Sequence, residues 1–241
     1  MSRLRKLWHR IHLTFSHRWF LSLEKDWKHF GIGLPKVIFD VGAHLGQTTL
    51  HFRKVFPSAH IHSFEPFPEN FRRLELKTKG KDRIHINQTA LGSATGFANM
   101  QTGHSDQAHS ICPKPELEKI PAEEGKMPKV KLNTIDSYLE KECISNIDLL
   151  KIDVEGYELE VLKGADNALE KGRVQAVLAE CDFDPEDTQH TYFNDLWNFM
   201  MGKNFSFFGL YDVIHYENGM GIGFCNALFI RKPLPPAKEP A

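Results

Sequence analysis

The chain of 241 residues is 41% hydrophobic and 25% charged, which suits one globular domain with a full core and excludes a disordered or fibrous protein. Its 30 basic residues nearly cancel its 31 acidic ones, so no global field draws a polyanion and nucleic acid is not the expected partner. The 4 cysteines lie far apart without a C-x-x-C pair, which argues against a zinc site and a disulfide framework and fits reduced thiols in a cytoplasmic protein.

The opening "MSRLRKLWHRIHLTFSHRWF" carries basic residues and no acid, with Leu4, Leu7, Trp8, Ile11, Phe15 and Trp19 at helical spacing. Such a basic amphipathic helix suits an anionic membrane surface, making residues 1–20 a peripheral contact. Packing of the apolar stripe on the domain is the preferred reading. No run approaches the roughly 20 apolar residues of a membrane span, and "WFLSL" is too short for a signal-peptide core. Residues 1–34 therefore read as a helical extension, ended by the glycines and proline of "HFGIGLP".

From there "KVIFDVG" reads as a buried strand, "GQTTLHFRKVF" as a helix, "AHIHSFE" as a strand, "PENFRRLELKTK" as a helix with Pro68 and Asn70 near its start, and "RIHINQTAL" as a third strand. This alternation implies right-handed crossovers and a parallel sheet covered on both faces. "TGFANMQ" and "KVKLN" look like extra strands around a loop over residues 103–128, long enough to serve as a lid. Next come the helix "TIDSYLEKE", capped by Asn133 or Thr134, the strand "IDLLKID", the helix "YELEVLKGADNAL", the strand "VQAVLAE" and the helix "TYFNDLWNFMMG". "FSFFGLY" and "GIGFCNALFI" should pair as an antiparallel hairpin around "ENGMG". Phe205, Phe207, Phe208 and Tyr211 read as its core, and the scattered histidines, His60, His62, His104 and His109 among them, as surface residues. The expected class is α/β, doubly wound and mostly parallel, with the main domain over 35–232 and a disordered proline-rich tail over 233–241.

The turn in "VIFDVGAHLGQTT" has glycines at 42 and 46; Gly42 permits backbone angles closed to other residues, and the Gly42–Ala43 pair lets a ligand approach the main chain. The dinucleotide pattern G-x-G-x-x-G requires a glycine where this chain has His44, which weighs against a nicotinamide-dependent oxidoreductase. Glu65, 19 residues past Gly46, closes the second strand, where an acid can accept both hydroxyl protons of a ribose. A nucleoside with free hydroxyls and no pyrophosphate is implied, and S-adenosylmethionine fits. A non-catalytic nucleoside-binding domain is the third alternative.

The blocks "DVGAHLGQTT", "FEP", "TALG", "TIDSYL", "LLKIDVEGYELEVLKGA" and "NALFIRK" resemble, in order, the motifs of the FkbM-type methyltransferases, which have the class I S-adenosylmethionine fold. The resemblance implies a seven-stranded sheet ending in the hairpin, and O-methyl transfer to a sugar, glycan or secondary metabolite. It sets the cofactor against Asp40, Gly42, Ala43, His44 and Gly46, with Thr48 behind, the ribose on Glu65, and the adenine near Thr89, Ala90 and Leu91. His44 departs from the asparagine often seen there, and its imidazole can hydrogen-bond the methionine end.

Asp153 ends a strand at the carboxyl edge, where an open α/β sheet has its ligand crevice. Glu155 reads as a helix-start acid stabilised by the helix dipole, and Glu180, in "VLAECDF", should project into the same crevice. Two arrangements fit: the acids hold a hard divalent ion such as magnesium, or Asp153 binds the cofactor's ammonium while Glu180 or His44 orients the acceptor hydroxyl or takes its proton. The metal-free arrangement is preferred. Asn226 either reaches the crevice or is satisfied within the hairpin.

Overall fold

The computed structural model describes residues 23, 25–27, 29–30, 32–102, 109–111, 129–187, 189–216 and 221–233. The expectations for residues 1–20, for most of 103–128, His104 included, and for nearly all of the tail fall outside these residues. The first half runs β1 (Val37–Val41), α1 (Gln47–Val55), β2 (His60–Phe64), α2 (Pro68–Thr78), β3 (Ile84–Asn87), β4 (Ala90–Leu91), β5 (Gly96–Thr102), β6 (His109–Ile111) and β7 (Lys129–Asn133). The second runs α3 (Ile135–Lys141), β8 (Ile147–Ile152), α4 (Glu158–Lys163), α5 (Asp166–Glu170), β9 (Val174–Asp182), α6 (Phe193–Gly202), β10 (Phe205–His215) and β11 (Ile222–Arg231).

Seven strands form one sheet in the order β10-β11-β9-β8-β1-β2-β3. β3, β2, β1, β8 and β9 are mutually parallel, and β11 enters antiparallel between β9 and β10. The order reverses between β1 and β8, which is where a doubly wound sheet opens its crevice.

Alternation along the strands divides the core. One face carries Ile38, Ile61, Leu149, Leu178 and Leu228, packed with Phe52 and Phe56 around α1 and with Leu23 and Trp27. The other carries Phe39, Phe64, Ile152 and Ala179 under Leu139, Val161, Leu169 and Leu196 of α3 to α6. The N-terminal segment thus packs on the domain at Leu23 and Trp27.

Two expected elements differ in detail, and one pair of alternatives is decided. "RIHINQTAL" divides: β3 stays in the main sheet, while β4 leaves it and pairs with β7 in a second, four-stranded sheet of order β4-β7-β5-β6. "YELEVLKGADNAL" is two short helices, broken at Gly164 and Ala165. Thr134, rather than Asn133, supplies the side-chain cap of α3, its Oγ1 accepting the Ser137 N–H. In the hairpin, Phe205 is buried but Phe208 is 47% exposed, its ring edge-on to Phe30. His62 is no surface residue: it is buried on β2, with Nδ1 2.9 Å from the Tyr138 hydroxyl, and burial lowers its pKa to about 4.

Candidate active site

Ladder register decides which side chains meet at the crevice. Ser63, Asp40, Lys151 and Leu178 lie side by side across β2, β1, β8 and β9. Strand alternation puts the residues two positions further on the same face. These are Glu65, Gly42, Asp153 and Glu180, and Asn226 stands directly opposite Glu180 on β11. The structure therefore brings together Gly42, Glu65, Asp153, Glu180 and Asn226 in one row along the carboxyl edge.

The row behind them is closed. Asp40 is fully buried; its Oδ2 accepts the Thr49 hydroxyl at 2.6 Å, and the same hydroxyl lies 2.8 Å from Ser63 Oγ. Asp40 Oδ1 lies 3.4 Å from Lys151 Nζ, an ion pair without hydrogen-bond alignment. Lys151 Nζ is 3.1 Å from Asp153 Oδ2 and also points at the Gly42 carbonyl. Burial depresses the lysine pKa, but the Asp153 and Asp40 carboxylates outweigh it and hold the pKa above the usual lysine range. Asp153 keeps part of its carboxyl open to solvent, while Asp40 does not.

The turn after β1 is held by backbone contacts. Gly42 and Ala43 both donate N–H to the Phe64 carbonyl. Gly42 has φ +78, and a β-carbon there would lie 1.8 Å from the Asp153 carbonyl oxygen, so the close approach at this glycine is made by β8's own backbone. Gly46, at φ +82, faces Leu74 of α2. His44 and Glu155 are non-glycine residues at φ 48 and 56, one at the tip of each strand flanking the sheet's reversal point. Thr48 is half-buried in the first turn of α1, and its neighbour Thr49 is the one that reaches Asp40.

Glu65 binds the tip of the turn: Oε2 accepts the His44 N–H and Oε1 the Phe67 N–H, each at 2.8 Å. Burial raises its pKa to about 7 against the pull of those two N–H groups. Each carboxylate oxygen still has a lone pair for a hydroxyl. Ala90 and Leu91 are core residues, so the contact they offer a base from this position is backbone rather than side chain. Thr89 Oγ1 bonds the Ala90 and Lys131 carbonyls.

Glu155 lies three residues before α4 rather than in its first turn. Burial, with Asp153 beside it, raises its pKa to about 7, the reverse of dipole stabilisation. Glu158 takes the helix-start role: fully buried, it accepts the Val154 and Gly156 N–H groups through Oε1 and the Thr191 hydroxyl through Oε2. Glu180 is buried within β9, and burial together with Asp153 and Glu155 pushes its pKa well up. Asn226 Oδ1 is buried without a hydrogen-bond partner.

Lys151, Thr49, Glu158 and His190 were not singled out from sequence. Lys151 carries the period-2 signal, two residues before Asp153 on one face. His190 carries none, because it reaches the site on the loop between β9 and α6. A cavity of about 710 Å³ lies at the opposite pole, lined by Trp27, His60, His62, His85, Glu142 and Asp148 near the amino ends of the strands.

Residues 40–207 match the model of the methyltransferase FkbM domain. The chain is 31% identical over 154 residues to the hexuronic acid methyltransferase AglP of Haloferax volcanii, covering 63% of this chain and 59% of that protein. It is 26% identical over 146 residues to the 2-O-methyltransferase NoeI of Sinorhizobium fredii, covering 57% and 60%. The chain thus spans about three fifths of the length of these relatives. The crystal structure of methyltransferase FkbM from Methylobacillus flagellatus KT superposes with a TM-score of 0.52 at 17% identity, covering 81% of this chain and 43% of that one. Magnesium protoporphyrin IX methyltransferase (ChlM) from Synechocystis PCC 6803, solved with bound SAM, gives 0.52 at 10% identity, covering 91% and 81%. Both share the fold, and with the domain match spanning the crevice from Asp40 onward, this chain belongs to the FkbM methyltransferase family.

Proposed function

We propose that the protein is an S-adenosylmethionine-dependent O-methyltransferase acting on a hydroxyl of a sugar, glycan or secondary metabolite. The observation that carries this reading is the single row Glu65, Gly42, Asp153, Glu180 and Asn226 along the carboxyl edge, beside the sheet's reversal point. Membership of the family and relatives named for hexuronic acid and 2-O-methylation support it.

The residues fit the cofactor's chemistry. Glu65 has lone pairs left for two ribose hydroxyls, and the acids around Lys151 suit a ligand bearing an ammonium and a sulfonium. When bound, the cofactor supplies an electrophilic methyl on a neutral leaving group, so the protein's share is chiefly placement of the acceptor oxygen. Lys151 fixes Asp153 through Oδ2, which leaves Oδ1 to take the acceptor hydroxyl's proton. Glu180 and His44 orient the acceptor from either side.

Thermal shift with S-adenosylhomocysteine against oxidised and reduced nicotinamide dinucleotides tests the reading. A rise in Tm with the first alone is expected; a rise with the dinucleotides alone would sink it. Asp153→Asn should stay folded and lose at least about 100-fold in kcat; near-normal turnover would remove Asp153 from the chemistry.

A further inference from the structure

We infer that the rim of the crevice is a divalent-cation site, with Glu155, Glu180 and His190 as ligands and Asn226 as a fourth oxygen donor, suited to Mn²⁺. The inference rests on the reading of this crevice as the acceptor site. One donor atom from each of Glu155, Glu180 and His190 falls within 4.8 Å of the others, although the three come from the turn after β8, from β9 and from the loop before α6.

The imidazole is oriented as metal-binding histidines are. Its Nδ1 lies 3.1 Å from Asp187 Oδ2, and its ring stacks on Phe224 at 5.0 Å with 10° between planes. Nε2 is the nitrogen left for a ligand, and a carboxylate behind the distal nitrogen is the usual outer support of a metal-bound histidine. Asp187 is committed to that support, since its Oδ1 accepts the Gln189 and His190 N–H groups. The neighbouring Asp182, Asp187 and His190 group shares the same imidazole, so Glu180→Gln is the variant that distinguishes the two.

Asn226 is an independent pointer. It is 7% exposed, its Oδ1 has no hydrogen-bond partner, and it stands directly across the β9–β11 ladder from Glu180. A buried carbonyl oxygen of this kind needs a donor or a cation. Lys151 does not serve, because it is engaged by Asp40 and Asp153. Three oxygens with one imidazole nitrogen fit a cation between the hard and borderline classes, hence Mn²⁺ ahead of Mg²⁺. Four protein donors leave octahedral positions open for water or for adjacent hydroxyls of an acceptor.

The test is titration of MnCl₂ into the full chain, following loss of the free-ion paramagnetic resonance signal. One site per chain is expected. His190→Ala and Glu180→Gln should each weaken it at least about tenfold, and Asp187→Asn, which changes almost no volume, by about tenfold. Asp82→Asn, an exposed acid paired with Arg53 away from the crevice, should change nothing. Absence of binding at millimolar Mn²⁺, or equal affinity in wild type and a folded Asp187→Asn with Glu180→Gln, overturns the site. The S-adenosylhomocysteine shift is read separately. Mn²⁺ binding without that shift keeps the metal site and removes the methyltransferase reading, while the reverse result removes only the metal site.

Discussion

The Lys151 ammonium lies between Asp40 Oδ1 and Asp153 Oδ2, at 3.4 and 3.1 Å, at the base of the crevice. Removing one partner of a buried ion group leaves the others uncompensated, so Lys151→Met should lower stability by about 3 kcal/mol in urea unfolding. Glu65 gives a pH prediction. Its folded pKa of about 7 lies above its ordinary 4.5, so the folded state holds an extra proton between those values. That contribution to stability is full below about 4.5 and is lost as pH rises to about 7. His62, depressed to about 4, works oppositely between 4 and its ordinary 6.5, so the comparison is with a variant rather than with the raw profile. Glu65→Gln should gain stability relative to wild type as pH rises from 5 to about 8; a constant difference would place the Glu65 pKa near its ordinary value. The residues facing Glu65 in this argument are the His44 and Phe67 amides, Lys151 and Asp40. Acids at strand ends were legible in sequence because type and position suffice to identify them. Which of them holds a proton was not, since that is set by burial and by Lys151.

The glycine turn at the crevice shows how elements constrain one another. Gly42→Ala would drive a β-carbon into the Asp153 carbonyl at a φ of +78, and a loss of about 3–5 kcal/mol is expected from combined backbone strain and overpacking. Gly209→Ala, with open space around it, is the control and should stay within about 1 kcal/mol. Equal loss in both variants would show that the close approach to β8 carries no cost. The same physics broke the helix expected over "YELEVLKGADNAL". A β-carbon on Gly164 would lie 1.9 Å from the Gly92 carbonyl, and Asp136 of α3 accepts the Asn167 and Ala168 N–H groups at 3.0 and 2.8 Å, starting a new helix there. Periodicity reads a continuous helix because neither Gly92 nor Asp136 is near in sequence.

At the scale of the molecule, the N-terminal segment is tied into the domain. Trp27 is 1% exposed, meets Phe30 and Phe56 edge-on, and donates its indole N–H to the Gly33 carbonyl at 2.8 Å. Its neighbour Asp26 accepts the Tyr211 hydroxyl of β10 at 2.7 Å, joining the segment to the hairpin at the far edge of the sheet. Trp27→Ala should cost about 3–5 kcal/mol and lower a single cooperative transition. A separate early transition would make this segment an independent appendage. Strand and helix alternation, the Gly42 turn, the terminal hairpin and the acids Glu65, Asp153 and Glu180 were determined by the sequence alone, because each is a local pattern of period, residue type and spacing. Only the tertiary structure decided that Lys151 locks Asp153, that Glu158 rather than Glu155 starts α4, and that His190 joins Glu155 and Glu180. Those outcomes depend on ladder register, desolvation and approach between segments distant along the chain, which no local pattern records.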